Sequence, residues 1–122
     1  MRIEIQVGEN VFEAELNASE TAVALGKTLP IEARANTWGE EIYFSIPLKH
    51  SLEDGVEVVQ KGDLGYWPPG KAFCIFFGPT PASEGDEIRP ASAVNVIGKL
   101  LTDPEPLKKA RDGDRVIVRA AG

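Results

Sequence analysis

Between Lys61 and Pro81 the chain reads KGDLGYWPPGKAFCIFFGPTP, and this stretch holds five of the nine aromatic residues and four of the nine prolines. Aromatic faces beside a stiff proline turn are the material of a groove for an extended peptide. The Trp67-Pro68-Pro69 segment could form one wall of such a groove, or equally a plug closing the end of a barrel. Cys74, the single cysteine, sits mid-strand among apolar neighbours, where thiols are inert core rather than nucleophiles. The one histidine, His50, lies far away in a polar loop, so neither a cysteine–histidine pair nor a zinc site is expected. Glu40, Glu41, Asp63, Glu84, Asp86 and Glu87 supply carboxylates, but no spacing matches a calcium loop, and solvated surface is the expectation for them. Nucleophile-elbow and phosphate-loop patterns are absent. No metal and no cofactor is expected.

Those residues need elements to hold them. Two adjacent prolines fix φ and lack N–H groups, so Pro68-Pro69-Gly70 reads as a rigid turn between a short strand and the buried strand Phe73 to Phe77. Earlier, Ile3, Ile5 and Val7 alternate with polar residues, and Phe12, Ala14 and Leu16 do so after a Gly8 turn, which predicts a hairpin. Asn17 to Leu29 carries apolar residues three or four apart, with Asn17 or Ser19 as cap and Pro30 as stop, and reads as an amphipathic helix. Ile31, Ala33 and Ala35 then share one strand face. After a break at Trp38-Gly39, Ile42, Phe44 and Ile46 point inward, with Glu41, Tyr43 and Ser45 outward. Val56 to Val59 reads as a short strand, the region after Pro81 as a long surface loop, and Ala93 to Leu101 as a core strand. Asp103-Pro104 opens a short helix over Leu107 to Arg111, and Arg115 to Ala120 is the last strand. The sum is a mainly β domain: a closed, mostly antiparallel barrel of about eight strands with two short capping helices. An open α+β sheet is the alternative.

A formal net charge of −6 argues against a general nucleic-acid binder and against anionic membrane surfaces. No apolar run approaches the ~20 residues of a membrane helix. With one cysteine and no leader-like start, the expectation is a cytoplasmic, prokaryotic protein, with an exposed strand edge able to support a homodimer.

The order of elements is similar to that of the cyclophilins, and local residues strengthen the comparison: Gly62-Asp63-Leu64, then Phe76-Phe77, then Val96-Ile97-Gly98-Lys99-Leu100. NTWGEEIYFS (Asn36 to Ser45) and GYWPPGKA (Gly65 to Ala72) resemble motifs of a compact prokaryotic cyclophilin-like family that carries the barrel without one settled activity. The resemblance implies a pocket for proline on the outer barrel wall, served in cyclophilins by arginine, glutamine, phenylalanine, a loop tryptophan and histidine. Here the arginine position falls on Ala35, with Arg34 one residue off and therefore on the other face unless the register differs. The glutamine position falls near Tyr43, and neither Trp38 nor Trp67 occupies the family tryptophan's loop.

Prolyl isomerisation needs no nucleophile. Its barrier of ~18–20 kcal/mol is amide resonance, and catalysis consists of holding the twisted amide better than the planar one. The resemblance thus assigns Arg34 and Tyr43 as catalytic candidates. Asn36, Glu41, Phe77, Trp67 and Arg89 are substrate-binding candidates, although alternation leaves open which of Phe76 and Phe77 faces the site. Arg34 pairing with Glu32 or Glu41 is the structural alternative. Three functions remain in view: a module binding a proline-containing peptide or protein segment with weak or absent isomerase activity; an atypical isomerase using Arg34, Tyr43 and Phe77; and a non-catalytic small-metabolite binder using Glu41, Tyr43 and Arg89.

Overall fold

The protein, described here by a computed structural model over residues 1–121, is built on a single nine-stranded sheet. In chain order the elements are β1 (Arg2–Val7), β2 (Asn10–Leu16), α1 (Glu20–Gly26), β3 (Ile31–Arg34), β4 (Asn36–Thr37), β5 (Glu41–Ser45), β6 (Asp63–Trp67), β7 (Ala72–Phe76), β8 (Asn95–Leu100) and β9 (Arg115–Ala120). Short 3-10 turns occupy Pro68–Gly70 and Glu105–Lys109. The strands lie in the order β3-β9-β1-β2-β8-β6-β7-β5-β4, and every pairing is antiparallel. The two ends of this order, β3 and β4, are consecutive in the chain, so the sheet curls into a nearly closed barrel.

Strand number and helix content depart from expectation for physical reasons. The run from Ile31 divides at Ala35 because its partner changes: β3 pairs with β9, whereas β4 pairs with β5. The second helix is a 3-10 turn closed by Leu107 N–H to Pro104 and Ala110 N–H to Leu107. Five residues between a proline pair and the turn at Asp112 leave no room for an α-helical ladder. Val56 to Val59 forms only isolated bridges, to Val94 and Ile88; Pro90, lying between those partners, cannot donate to a ladder. Helix α1 is shorter than its apolar pattern at both ends. Ser19 is the N-cap, accepting from Ala22 N–H; Asn17 instead accepts from Ser19. The ladder ends at Gly26 rather than running to Leu29 and Pro30, because Lys27 and Thr28 N–H tighten to the carbonyls three residues back.

Alternation sorts the side chains into two layers. Ile3, Ile5, Phe12, Ile42, Phe44, Leu64, Tyr66, Phe73, Ile75 and Val118 fill the barrel. The Phe44 and Phe73 rings stack there with centroids 5.1 Å apart. A second cluster lies outside the wall, where Ala72, Cys74 and Phe76 of β7 meet Val59, Ile88 and Val94. Covered on both faces, β7 is buried at all five residues, which explains its unbroken apolar run AFCIF. Among the described residues no helix is long and apolar enough to cross a membrane.

Gly98 marks the tightest crossing. It pairs with Leu16, and a Cβ there would run into the Glu15 carbonyl. Gly98→Ala is expected to cost about 1–3 kcal/mol through this overpacking, read as a lower urea midpoint at constant slope; an unchanged midpoint would show that β2 and β8 part freely.

Candidate functional site on the outer barrel wall

Register places the site. Gly39, at φ +59°, allows a two-residue turn between β4 and β5, and Trp38 and Glu41 close it by exchanging backbone hydrogen bonds of 2.9 and 3.2 Å. Trp38 and Glu41 are therefore opposite one another, and Glu41 is opposite Phe76 on β7. The next row on the same outer face runs Asn36, Tyr43, Cys74, Gly65 and Val96. A third row holds Ser45, Ala72 and Trp67. Pro90, Ala91 and Val94 come over this wall from the long loop after β7. What remains open between loop and wall is a pocket of about 220 Å³, lined by Trp38, Glu41, Tyr43, Trp67, Pro90, Ala91 and Val94. That volume corresponds to about seven waters.

The walls are mostly aromatic and apolar. The Trp67 indole N–H is satisfied by Ser92 Oγ at 2.7 Å, which fixes the ring against the loop. Glu41 is the exception in chemistry: a carboxyl only 6% exposed. Among the described residues the one side-chain group near enough to donate to it is the weak Cys74 thiol, which is directed at the Ala72 carbonyl at 3.9 Å, and no cationic side chain pairs with it. Burial consequently raises its pKa from 4.5 to about 7, with the thiol opposing slightly. The same burial, with Glu41 beside it, pushes the Cys74 thiol well above its usual range, so it is no nucleophile.

The structure brings together Glu41, Tyr43 and Trp67 and sets Asn36 opposite Tyr43, its amide donating to the Tyr43 carbonyl at 3.2 Å. It leaves the other candidates elsewhere. Arg34 faces outward but is exposed on the β3–β9 side, donating to the Gly113 carbonyl at 3.2 Å. Its strand neighbour Glu32 pairs with Arg115, so neither pairing considered for Arg34 forms. Arg89 pairs with Glu87 at 2.6 Å. Phe77 belongs to the barrel interior, whereas Phe76 is the outward ring, sealed beneath the loop. Glu41 is outward as alternation requires, yet buried rather than solvated, because the loop adds a layer over the wall. The loop expected to lie over the groove, Pro81 to Pro90, does reach it, but with Pro90 rather than Arg89, and Ala91 and Val94 join the lining without a signal of their own in the sequence. Trp38 joins it as well, and was within reach of a register argument, since a two-residue turn at Gly39 sets it opposite Glu41.

A second polar cluster superficially resembles a catalytic set. The Thr21 hydroxyl donates to Glu53 at 2.8 Å and lies 3.1 Å from His50 Nδ1, with Asn95 donating to it at 3.0 Å. Thr21 is fully buried, and the Glu53 carboxylate accepts the Glu20 and Thr21 backbone N–H groups. The cluster caps α1 and ties it to β8; it presents no reachable nucleophile. Those donors hold the Glu53 carboxyl below its usual range.

The chain matches the cyclophilin-like family over residues 1–119. It belongs to that family. The solution structure of the hypothetical protein AF2241 from Archaeoglobus fulgidus is similar to it at 46% identity, with a TM-score of 0.84 over 99% of this chain and 95% of that one. No curated protein matches the chain. Within this cyclophilin-like barrel, the outer-wall pocket carries an acid, while the arginine nearest in sequence to the family position stays outside it.

Two outcomes test the site's electrostatics and its neighbour. A carboxyl whose folded pKa is raised favours the folded state fully below its unfolded pKa of about 4.5, and that contribution is lost as pH rises through about 7. Glu41→Gln should therefore gain on the order of 3 kcal/mol on the unsubstituted protein between pH 4.5 and pH 8; stability curves that stay parallel would remove Glu41 from the buried wall. Asn95→Ala strips partners from Glu53 N–H and the Ser51 carbonyl and should cost about 2 kcal/mol or more, by denaturant unfolding.

Proposed function

We propose that this cyclophilin-like protein is a binding module that takes a proline residue of a peptide or protein segment into the outer-wall pocket, with prolyl isomerase activity weak or absent. The observation that carries this reading is the make-up of the pocket: two tryptophans, a tyrosine and a proline wall, with a single carboxyl and no cation among the described lining residues. Pyrrolidine rings pack well on aromatic faces, and a rigid aromatic groove binds with little ordering cost. A volume near 220 Å³ suits one side chain better than the ~300–1,000 Å³ typical of drug-sized ligands. With Arg89 held by Glu87, the metabolite reading loses one of its three residues.

Weak catalysis follows from the donor available. Twisting the amide places charge on the proline nitrogen and calls for a hydrogen bond there. The donors of the lining are all uncharged (the protonated form of Glu41, the Tyr43 hydroxyl and the Trp38 indole N–H), and neutral donors make bonds about half as strong as cationic ones. A reducing cytoplasm is part of the same reading, because the lone thiol is buried and needs no partner.

Both tryptophans of the chain line the pocket, so intrinsic fluorescence reports on it directly. An acetylated proline-containing tetrapeptide should shift that emission saturably, while a protease-coupled assay with a proline tetrapeptide anilide shows no acceleration above the uncatalysed rate. Saturable acceleration abolished by Glu41→Gln would replace the binding module with an enzyme, and an emission unmoved at millimolar peptide would sink the reading.

A further inference from the structure

Glu41 is the unexplained group of the pocket: burying a carboxyl without a strong donor or a counter-charge is costly, and apolar residues would line a proline cup without that cost. Its neighbours supply the rest of a recognisable arrangement. Trp38 stands across the hairpin from it, Tyr43 is two residues along the same face, and Trp67 closes the far side of the pocket. Among the described residues the one stacked aromatic pair is Phe44–Phe73 inside the barrel, so the faces of these three rings are not spent on each other. Aromatic faces surrounding a carboxylate attract an alkylated ammonium, whose charge meets the ring quadrupoles and the acid while its alkyl groups stay dry. The protein's net charge of −6 favours the approach of a cation.

We infer that the Trp38–Glu41–Tyr43–Trp67 pocket binds an alkylated ammonium cation, with Glu41 as its counter-ion. This rests on the binding-module reading and sharpens it: in a peptide, the group with a proline ring and such a charge is the secondary ammonium of an N-terminal proline. The same chemistry is offered by a free quaternary ammonium such as choline. The titratable groups that face Glu41 are the Cys74 thiol from β7 and the Tyr43 phenol on its own strand; the covering loop adds Pro90 and Ala91, with Arg89 engaged by Glu87. A bound cation therefore has one acid to ionise, and its affinity must rise with pH through the range in which Glu41 gives up its proton.

The test uses the intact protein, tryptophan fluorescence and three probes: a tripeptide amide with a free N-terminal proline, the same peptide acetylated, and choline beside its neutral isostere 3,3-dimethylbutanol. The free peptide should bind at least tenfold more tightly than the acetylated one at pH 7.5, and Glu41→Gln should erase the difference. Choline carries a charge at every pH, and its binding should strengthen at least tenfold from pH 5.5 to pH 8.5 in the unsubstituted protein only. Equal affinity for the free and acetylated peptides, with choline no better than its isostere, would overturn the cation inference while leaving the proline module standing. Choline binding with this pH and Glu41 dependence, without binding of either peptide, would uphold the cation site and overturn the peptide reading alone. Silence of the fluorescence toward all probes would overturn both.

Discussion

One change of partner closes this molecule. The segment from Ile31 to Thr37 begins on β9 and ends on β5, so a single length of chain joins the two ends of the sheet. The turn after Lys109 holds the transfer point. Ala35 donates to the Asp114 carbonyl and accepts from Gly113 N–H, both at 2.8 Å, and the Asp112 carboxylate accepts from the Thr37 backbone and hydroxyl at 2.7 and 2.8 Å. Ala35 sits inside, small enough for two strands to converge over it. Past that point β4 has length for only one turn of hairpin, and the hairpin delivers Trp38 and Glu41 to the outer wall side by side. Barrel closure and site geometry are thus consequences of the same constraint.

The second constraint is the layer outside the barrel. Gly65 has no side chain, and a Cβ there would stand 3.1 Å from the Phe76 ring and 3.3 Å from Val94; the loop comes down onto the wall through that gap. Phe76 is buried as a result, and Glu41 beside it loses most of its water. A carboxyl on an exposed strand face would be an ordinary surface group. The same residue under a cover is a perturbed acid in a concave, aromatic place, the combination by which functional sites are recognised physically.

How much of this the residues disclosed follows from which interactions are local. The β1–β2 hairpin, the Ser19 cap and the inward triad Ile31, Ala33 and Ala35 are written in period and turn chemistry, and they stand where the pattern puts them. The outward direction of Tyr43 and Glu41 was equally legible. Burial of Glu41 was not, because it depends on Pro90, Ala91 and Val94, residues roughly fifty positions away that carry no periodic signal. The choice between Phe76 and Phe77 failed for a related reason: alternation fixes that one ring goes in, but its phase is set by the pairing of Glu41 with Phe76. Arg34 illustrates a third limit. Its face was predictable, but its distance from the pocket arises from the strand transfer at Ala35, which no local pattern records.

What the barrel leaves for function is decided by its filled interior. Phe44, Phe73, Tyr66 and the aliphatic residues around them are almost wholly shielded from solvent, and the Tyr66 hydroxyl is consumed by the Leu48 carbonyl and His50 N–H. Ligand chemistry is thereby directed to the outer wall and to the loop over it. That loop is not a loose flap: Glu40 N–H bonds to the Pro79 carbonyl, Phe77 N–H bonds to the Glu40 carbonyl, and Ser83 Oγ accepts from both Thr80 and Arg89 N–H. The Thr80 hydroxyl in turn donates to the Arg89 carbonyl, just before Pro90 enters the pocket. A wall held this way needs little ordering when a ligand arrives, so most of the contact energy is available as affinity. One loop, hydrogen-bonded to the wall through Glu40 and Phe77 at its start and through Ser92 and Trp67 near its end, thus determines whether an outward carboxyl of this barrel is solvated or buried.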